Sequence, residues 1–394
     1  MGAMNELIDA DAVARLHAHL ARASPGSQLR QLSRVEQRLR GLDAEQSEAL
    51  SLRARTDLVS AALLDDLPGG YDASAAVIRA ALADPSFGGW VIWPVGETVT
   101  SRVLAASADA HGGDADREDA GAGDGGDHDG DRFDDGLALL AELTPRLTSE
   151  FAIRRLLQHD LARALPRILA WTASDDEHVR RLASEGTRSF LPWAIRVPAL
   201  LAAPDATVPI LDALYRDESD YVRRSVANHL NDLSRQNADL VVEVAARWQA
   251  APDENTAWVV RHALRTLVKK AHPGALGLLG FAPVTVSVTP PVLSSSAITL
   301  PGDLSFGFTL TNEGSSTERM AVDYVVHFMK SNGRQAEKVF KLAAVTLAPG
   351  ESVALSKRHA LRQMTTRVHY AGLHSLELQV NGQRLTRTDF ELAL

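Results

Sequence analysis

Apolar residues recur at helical period up to about residue 280, most regularly across Asp217–Leu233. There Val222, Val226, Leu230 and Leu233 fall at i, i+4, i+8 and i+11, a single stripe on one helix face. Asp217, Ser219 and Asp220 precede it and offer side-chain oxygens to the free N–H groups of a helix start. The opposite face carries Arg223, Arg224, Asn231 and Asp232, polar groups that packing does not require. Earlier stripes are Leu32, Val35, Leu39 and Leu42, then Leu58, Ala61, Ala62 and Asp65, then Leu137, Leu140 and Leu143 in a helix expected from near Phe133. An aromatic turn, Asp84–Pro94, lies among them, with Trp90 and Trp93 expected to pack against helices. Further helix starts are expected at Thr148 or Ser149 with Glu150 in or beside the first turn, at Asp175–His178, and at Pro192 with Trp193 just behind it.

The helical stripes share a phrase. A β-branched residue followed by Arg-Arg or Arg-His occurs at Ile153, Val179, Val222 and Val260, spaced by 26, 43 and 38 residues. Irregular periods of about 40 residues with two helices each are the mark of HEAT-like helical repeats, which stack into a curved solenoid. Recurrence of the basic dipeptide should line one concave face with Arg, a surface suited to phosphates. The alternative is that each Arg pairs with an Asp of the neighbouring repeat, for which Asp176, Asp217 and Asp220 are available. From about Phe281 the period shortens to two, in Val284–Val288 and again in Leu304–Leu310. Turn signals stand at Asn312-Glu313-Gly314, Ser331-Asn332-Gly333, Ala348-Pro349-Gly350 and Asn381-Gly382. Seven or eight short strands in about 110 residues predict an immunoglobulin-like β-sandwich. Tyr370–His374, ahead of a strand at Ser375–Val380, resembles a tyrosine corner. The expected fold is therefore multidomain α plus β, a HEAT-like helical-repeat solenoid over 5–280 followed by an immunoglobulin-like β-sandwich over 282–394.

Charge changes the picture in one place. The chain of 394 residues has a net charge of −9, which argues against a nucleic-acid partner only if it is spread evenly. Between Asp109 and Asp135, eleven acidic residues stand against Arg117 and Arg132, so this segment holds the whole excess. It is rich in Gly and Asp with almost nothing apolar, and 109–135 is expected to be a disordered insertion. Its aspartates lack the spacing and closing Glu of an EF-hand. With no Cys, disulfides, thiolate metal sites and cysteine nucleophiles are excluded. No apolar run is long enough to span a bilayer, and a cytoplasmic protein is expected. Met1–Met4 reads as an added leader and plays no part in the fold argument.

No HExxH, phosphate-cradling Gly loop or nucleophile elbow is present. The basic face does carry acids: Glu150, Glu185 and Asp232. A carboxylate among phosphate-binding Arg side chains repels the DNA backbone, and it makes sense where a cation must be stabilised. An N-alkylated base is cationic, and breaking its glycosidic bond leaves an oxocarbenium-like sugar. Trp193 offers a flat wall to such a nucleotide. Glu185 is equally explained by pairing with Arg180 or Arg188, and Lys269 and Lys270 suit phosphate contacts rather than Schiff-base chemistry.

The runs Ser149–Arg154, His178–Arg188, Leu191–Ala194, Tyr221–Asp232 and Arg261–Lys270 resemble the AlkC branch of the HEAT-like-repeat alkylpurine DNA glycosylases, over about residues 5–280. Some members also carry a C-terminal Ig-like domain, which 282–394 would match. The resemblance implies a bacterial base-excision enzyme for N3-methylated bases, 3-methyladenine foremost and 3-methylcytosine second, acting on duplex DNA without the usual base flipping. It implies Glu150 and Asp232 as the acidic pair at the reaction centre, with Trp193 packing beside the lesion nucleotide. On this reading Arg154, Arg181, Arg188, Arg224, Arg261, Arg265, Lys269 and Lys270 contact DNA. A monomer without metal, organic cofactor, membrane or obligate protein partner is expected, working at the nucleoid. The acidic insertion departs from the family pattern. Two other readings stay open, a non-catalytic HEAT-repeat DNA-binding scaffold and a protein–protein adaptor. Arg367, Lys357 and Arg358 give weak support to a DNA clamp by the sandwich.

Overall fold

A computed structural model of the chain describes residues 2–112, 125–363 and 368–394. Its helices begin with α1 (Gly2–Asn5), α2 (Ala10–Ala23), α3 (Arg30–Arg40), α4 (Ala44–Ala49), α5 (Leu52–Asp66), α6 (Tyr71–Leu82), α7 (Ile92–Gly112) and α8 (Gly125–Leu143). The expected stripe of α3 is buried at Leu32, Val35 and Leu39. That of α5 is displaced. Its buried face is Leu52, Thr56, Val59 and Leu63, whereas Ala61 and Asp65 are exposed, because small and apolar residues surround this helix and blur its phase. Trp93 is buried as expected, its ring tilted by 30° against Phe151 at 4.5 Å.

The expected disordered insertion is corrected at both ends. Residues 109–112 belong to α7 and 125–135 to α8, while 113–124 lie outside the described residues. The acidic end of the segment stays helical because neighbouring helices bring cations to it. Asp134 accepts from Arg163 and Arg167 at 3.0 and 2.6 Å, and Asp135 pairs with Arg79 at 2.8 Å.

The repeat region follows as α9 (Ile153–His159), α10 (Leu161–Ala170), α11 (Glu177–Glu185), α12 (Pro198–Ala202), α13 (Val208–Leu214), α14 (Asp220–Leu233), α15 (Ala238–Ala250), α16 (Thr256–Ala263), α17 (Arg265–Lys269) and α18 (Pro273–Leu278). The four recurring phrases thus sit on α9, α11, α14 and α16. Helix α11 packs on α14, and both touch α13. Val222, Val226, Leu230 and Leu233 are all fully buried, the stripe that drives this packing. Ser219 is the N-cap residue of α14, but its hydroxyl donates to Glu177 instead of capping. Pro192 does not start a helix; 191–197 is an irregular loop, and the Pro that opens the next helix is Pro198.

The chain divides into two compact units, Met1–Gln236 with Asp253–Val259, and Asn237–Pro252 with Val260–Leu394. This differs from a break near residue 281: α15 and the last helices pack in the second unit with the sandwich. The reason lies in the turn Asn381-Gly382, whose φ of 45° and 83° fit a two-residue hairpin. A Cβ on Gly382 would stand 2.8 Å from Leu276 Cδ1 of α18 and 2.9 Å from the Ala271 carbonyl oxygen ahead of that helix, so only Gly lets the turn approach this closely. The Asn381 amide donates to Ala282 O at 2.6 Å, tying the turn to the chain that leaves the helices.

Among the described residues the sandwich has nine strands in two sheets. One pairs β4 (Gly302–Asn312) with β1 (Val286–Val288) and β2 (Val292–Leu293) on one side and β7 (Ser352–Leu361) on the other. The second runs β3–β9–β8–β5–β6, that is Ala297–Thr299, Gln383–Ala393, Gly372–Val380, Glu318–Met329 and Gln335–Leu347. Strict alternation on β4 turns Leu304, Phe306, Phe308 and Leu310 inward against Met320, Val322, Tyr324, Val326 and Phe328 of β5. Tyr370 contributes its carbonyl, which accepts from His374 Nε2 at 3.0 Å.

Candidate active site

The polar centre of the first unit is built from three segments. The turn before α9 supplies Thr148 and Glu150. Helix α11 and the residues just beyond it supply Arg181, Glu185 and Arg188, and α14 supplies Ser225, His229 and Asp232. The last two sets share the i, i+4, i+7 spacing that puts side chains on one helix face.

These side chains form a continuous chain of alternating charge. Arg181 Nη1 donates to Glu150 Oε2, and its Nη2 lies 3.6 Å from Glu185 Oε1. Arg188 Nη1 donates to Glu185 Oε1 at 2.5 Å, and Arg188 Nε donates to Asp232 Oδ2 at 2.9 Å. Ser225 Oγ donates to the second Glu185 oxygen at 2.6 Å. Glu150, Glu185, Asp232 and Arg188 are all buried, and Arg181 nearly so. Three carboxylates and two guanidinium groups alternate in a site largely removed from water, and the positive charge of Arg235 also acts on Asp232. Burial pushes the Glu150 carboxyl up against the opposing pull of Arg181, and burial pushes Asp232 up against the pull of Arg188. At both carboxyls desolvation thus outweighs pairing.

Two neighbours hold this geometry. His229 is buried between the Ser184 carbonyl, 2.9 Å from Nδ1, and the Thr207 hydroxyl, 3.1 Å from Nε2. Its pKa is lowered to about 3 by burial and then by Arg188, so the ring is neutral and acts as a strut between α14 and α11. Tyr221 lies under the Arg181 guanidinium at 5.0 Å, with His178 against it at 5.7 Å.

Trp193 is 71 % exposed and has φ 62°, the left-handed region that non-glycine residues avoid. Strain of this kind costs about 1–3 kcal/mol and persists only where the surroundings impose it. Here the loop is pinned at buried Leu191 and Val197, and Arg196 Nη1 donates to Leu191 O at 3.1 Å.

Several residues expected to contact phosphate have protein partners in this structure. Arg154 is fully buried, with Nε on Ile195 O at 3.1 Å and Nη1 on the Gly186 and Arg188 carbonyls at 3.0 and 2.7 Å, so its guanidinium holds backbone. Arg188 is spent on two buried carboxylates, and Arg181 on Glu150. Arg180 pairs with Asp217 of the next repeat at 2.7 Å, the neighbour pairing expected as the alternative, and not with Glu185. Arg224 remains exposed beside Asp220. Glu185 emerges as the central member of the chain of charges, and the i, i+4, i+7 spacing of Arg181, Glu185 and Arg188 was the signal for it.

Comparison with known proteins bears on this arrangement. A family model described as the DNA alkylation repair enzyme matches residues 147–267, and one for the C-terminal Ig-like domain of YhaZ matches 287–394. YhaZ of Bacillus subtilis (strain 168) is 35 % identical over 261 residues, covering 66 % of this chain and 72 % of YhaZ. A solved structure of the Pseudomonas fluorescens alkylpurine DNA glycosylase AlkC, bound to DNA containing an abasic site analog, superposes with a TM-score of 0.77 at 32 % identity over 99 % of both chains. The chain belongs to the AlkC family of alkylpurine DNA glycosylases. Within this AlkC-family chain the alkylation-repair match encloses Glu150, Glu185, Trp193 and Asp232, and it ends before Lys269 and Lys270. In the second unit Arg261, Lys269 and Lys270 are exposed, and Arg265 Nη1 donates to His262 O at 2.6 Å. Arg367 lies outside the described residues, and Arg358 pairs with Asp303 at 2.6 Å. Among the described residues no helix is long and apolar enough to cross a membrane.

Proposed function

We propose that this AlkC-family protein hydrolyses the N-glycosidic bond of cationic N3-methylated bases in duplex DNA, 3-methyladenine foremost and 3-methylcytosine second. The observation that carries the reading is the buried set of three carboxylates, Glu150, Glu185 and Asp232, linked through Arg181 and Arg188. In the reaction the C1′–N bond breaks, its electron pair leaves with the base, and the positive charge passes from base to sugar. The base departs neutral, so no general acid has to protonate it. Glu150 and Asp232 stabilise the oxocarbenium-like sugar, and a water oxygen then bonds to C1′ and passes its proton to a carboxylate of this pair. No metal or organic cofactor enters the scheme. Exposed Trp193 supplies a wall beside the lesion nucleotide, which is read through sugar and backbone without base flipping. Exposed Arg224, Arg261, Lys269 and Lys270 meet phosphates, and the protein acts as a monomer.

The test is release of methylated bases from alkylated duplex DNA by wild type, Glu150→Gln and Asp232→Asn. Release of 3-methyladenine by wild type, lost in either variant while DNA binding persists, supports the mechanism. Binding without release by the wild type leaves a scaffold, and neither binding nor release leaves an adaptor.

A further inference from the structure

Arg154 is a fully buried cation whose bonded acceptors are all backbone carbonyls. One of these, Gly186 O, is at the C-cap of α11, where the helix dipole favours a positive charge, and Arg188 O lies two residues further on in the loop. The third, Ile195 O, lies two residues past Trp193. Gly186 permits the approach: a Cβ there would stand 2.9 Å from Leu182 O and 3.0 Å from Ile153 Cγ2, so α9 can press its first turn against the end of α11. One helical turn after Arg154, Gln158 Nε2 donates to Arg196 O at 3.0 Å. One face of α9 therefore holds both the start and the return arm of the 186–197 loop. At its tip that loop carries Trp193 in a strained conformation, and at its start it carries Arg188, the link between Glu185 and Asp232.

We propose that Arg154 is a positioning residue for base excision, fixing this loop so that Trp193 and Arg188 are presented together, with Gln158 as a second, weaker clamp. The inference rests on the glycosylase reading for its consequence but not for its geometry. It sets Arg154 apart from the DNA-facing cations, since it acts through the loop and touches no phosphate.

The experiment compares Arg154→Met and Gln158→Ala, each alone and with Trp193→Ala, by three measurements. In hydrogen exchange, amides of 189–197 should exchange at least about 10-fold faster in Arg154→Met while those of α14 stay unchanged, the mark of local release. Single-turnover release of 3-methyladenine should fall about 10–100-fold, the scale set by misplacing a reacting group. That loss should shrink to within about 3-fold when Trp193 is already Ala. The slope of log DNA affinity against log salt should be unchanged, whereas loss of a phosphate contact lowers it by about 0.9. A lowered slope, full additivity with Trp193→Ala, or acceleration of α14 amides equal to that of the loop overturns the proposal. Should Arg154→Met fail to fold, Gln158→Ala, at an exposed position, carries the same test with about a 3–10-fold effect. Should wild type release no base, the glycosylase reading fails, and the exchange measurement still decides whether Arg154 fixes the loop.

Discussion

Substituting Glu185 by Gln isolates the charge of one carboxylate of the cluster. The change leaves shape and most hydrogen bonds intact. The Gln carbonyl can still accept from Arg188 Nη1, and Ser225 Oγ, which now donates to the other Glu185 oxygen, can turn to accept from the new amide. What changes is the charge, three buried carboxylates becoming two. A preorganised group aimed at developing transition-state charge is worth about 10²–10³ in rate, roughly 2.7–4 kcal/mol. Single-turnover release of 3-methyladenine by Glu185→Gln, with enzyme in excess over alkylated duplex, should therefore slow by that factor. Binding should move the other way. Removing a negative charge some 10 Å from a phosphate relieves roughly 1–2 kcal/mol of repulsion at an effective dielectric constant near 20, less whatever salt screens. Affinity for undamaged DNA, measured by anisotropy at fixed salt, should tighten by a few-fold. Release within about 3-fold of wild type refutes the charge argument, as does a rate loss accompanied by equally weakened binding.

Two further outcomes follow from the same site. Trp193→Gly removes the left-handed strain and should raise the stability of the first unit by about 1 kcal/mol, seen as a raised thermal midpoint, while base release falls; a lowered midpoint refutes the strain argument. Because the Asp232 carboxyl is pushed up on folding, it contributes stability that is present below its unfolded pKa and lost as pH rises through the folded value. Activity needs the ionised form and has the opposite sign, so release should fail on the acid side above the ordinary carboxylate range. Asp232→Asn should flatten this part of the midpoint-against-pH curve, and an unchanged curve counts against the assignment.

The fold was legible where one periodicity decides the packing. Val222, Val226, Leu230 and Leu233 carry no competing apolar face, and all four are buried. In α5 the apolar and small residues spread around the helix, so the stripe through Leu58 and Ala61 lost to the one through Leu52, Val59 and Leu63. The division of the chain was less legible, because the contact of Gly382 with Ala271 and Leu276 joins positions more than a hundred residues apart.

The doubled arginines show why the site was only half legible. Sequence spacing identifies a helix face, but an Arg stem is long enough to turn its guanidinium toward either neighbour or solvent. The first Arg of each doublet turns to protein: Arg154 to the loop carbonyls, Arg180 to Asp217, and Arg223 to the carbonyls of Asp217 and Glu218. The second members diverge, Arg155 to Ser101 and Glu97, Arg181 to Glu150, and Arg224 to Asp220 at the surface. A row read as one phosphate-binding surface thus does at least two jobs. The first Arg braces the repeats, and on α11 that bracing frees its neighbour to face Glu150. The acids were the better guide, because a buried carboxylate is costly wherever it stands and needs a cation beside it. Glu150, Glu185 and Asp232 are buried together with only Arg181 and Arg188 bonded to them, and it is these acids, more than the basic face, that carry the proposal of a cationic substrate.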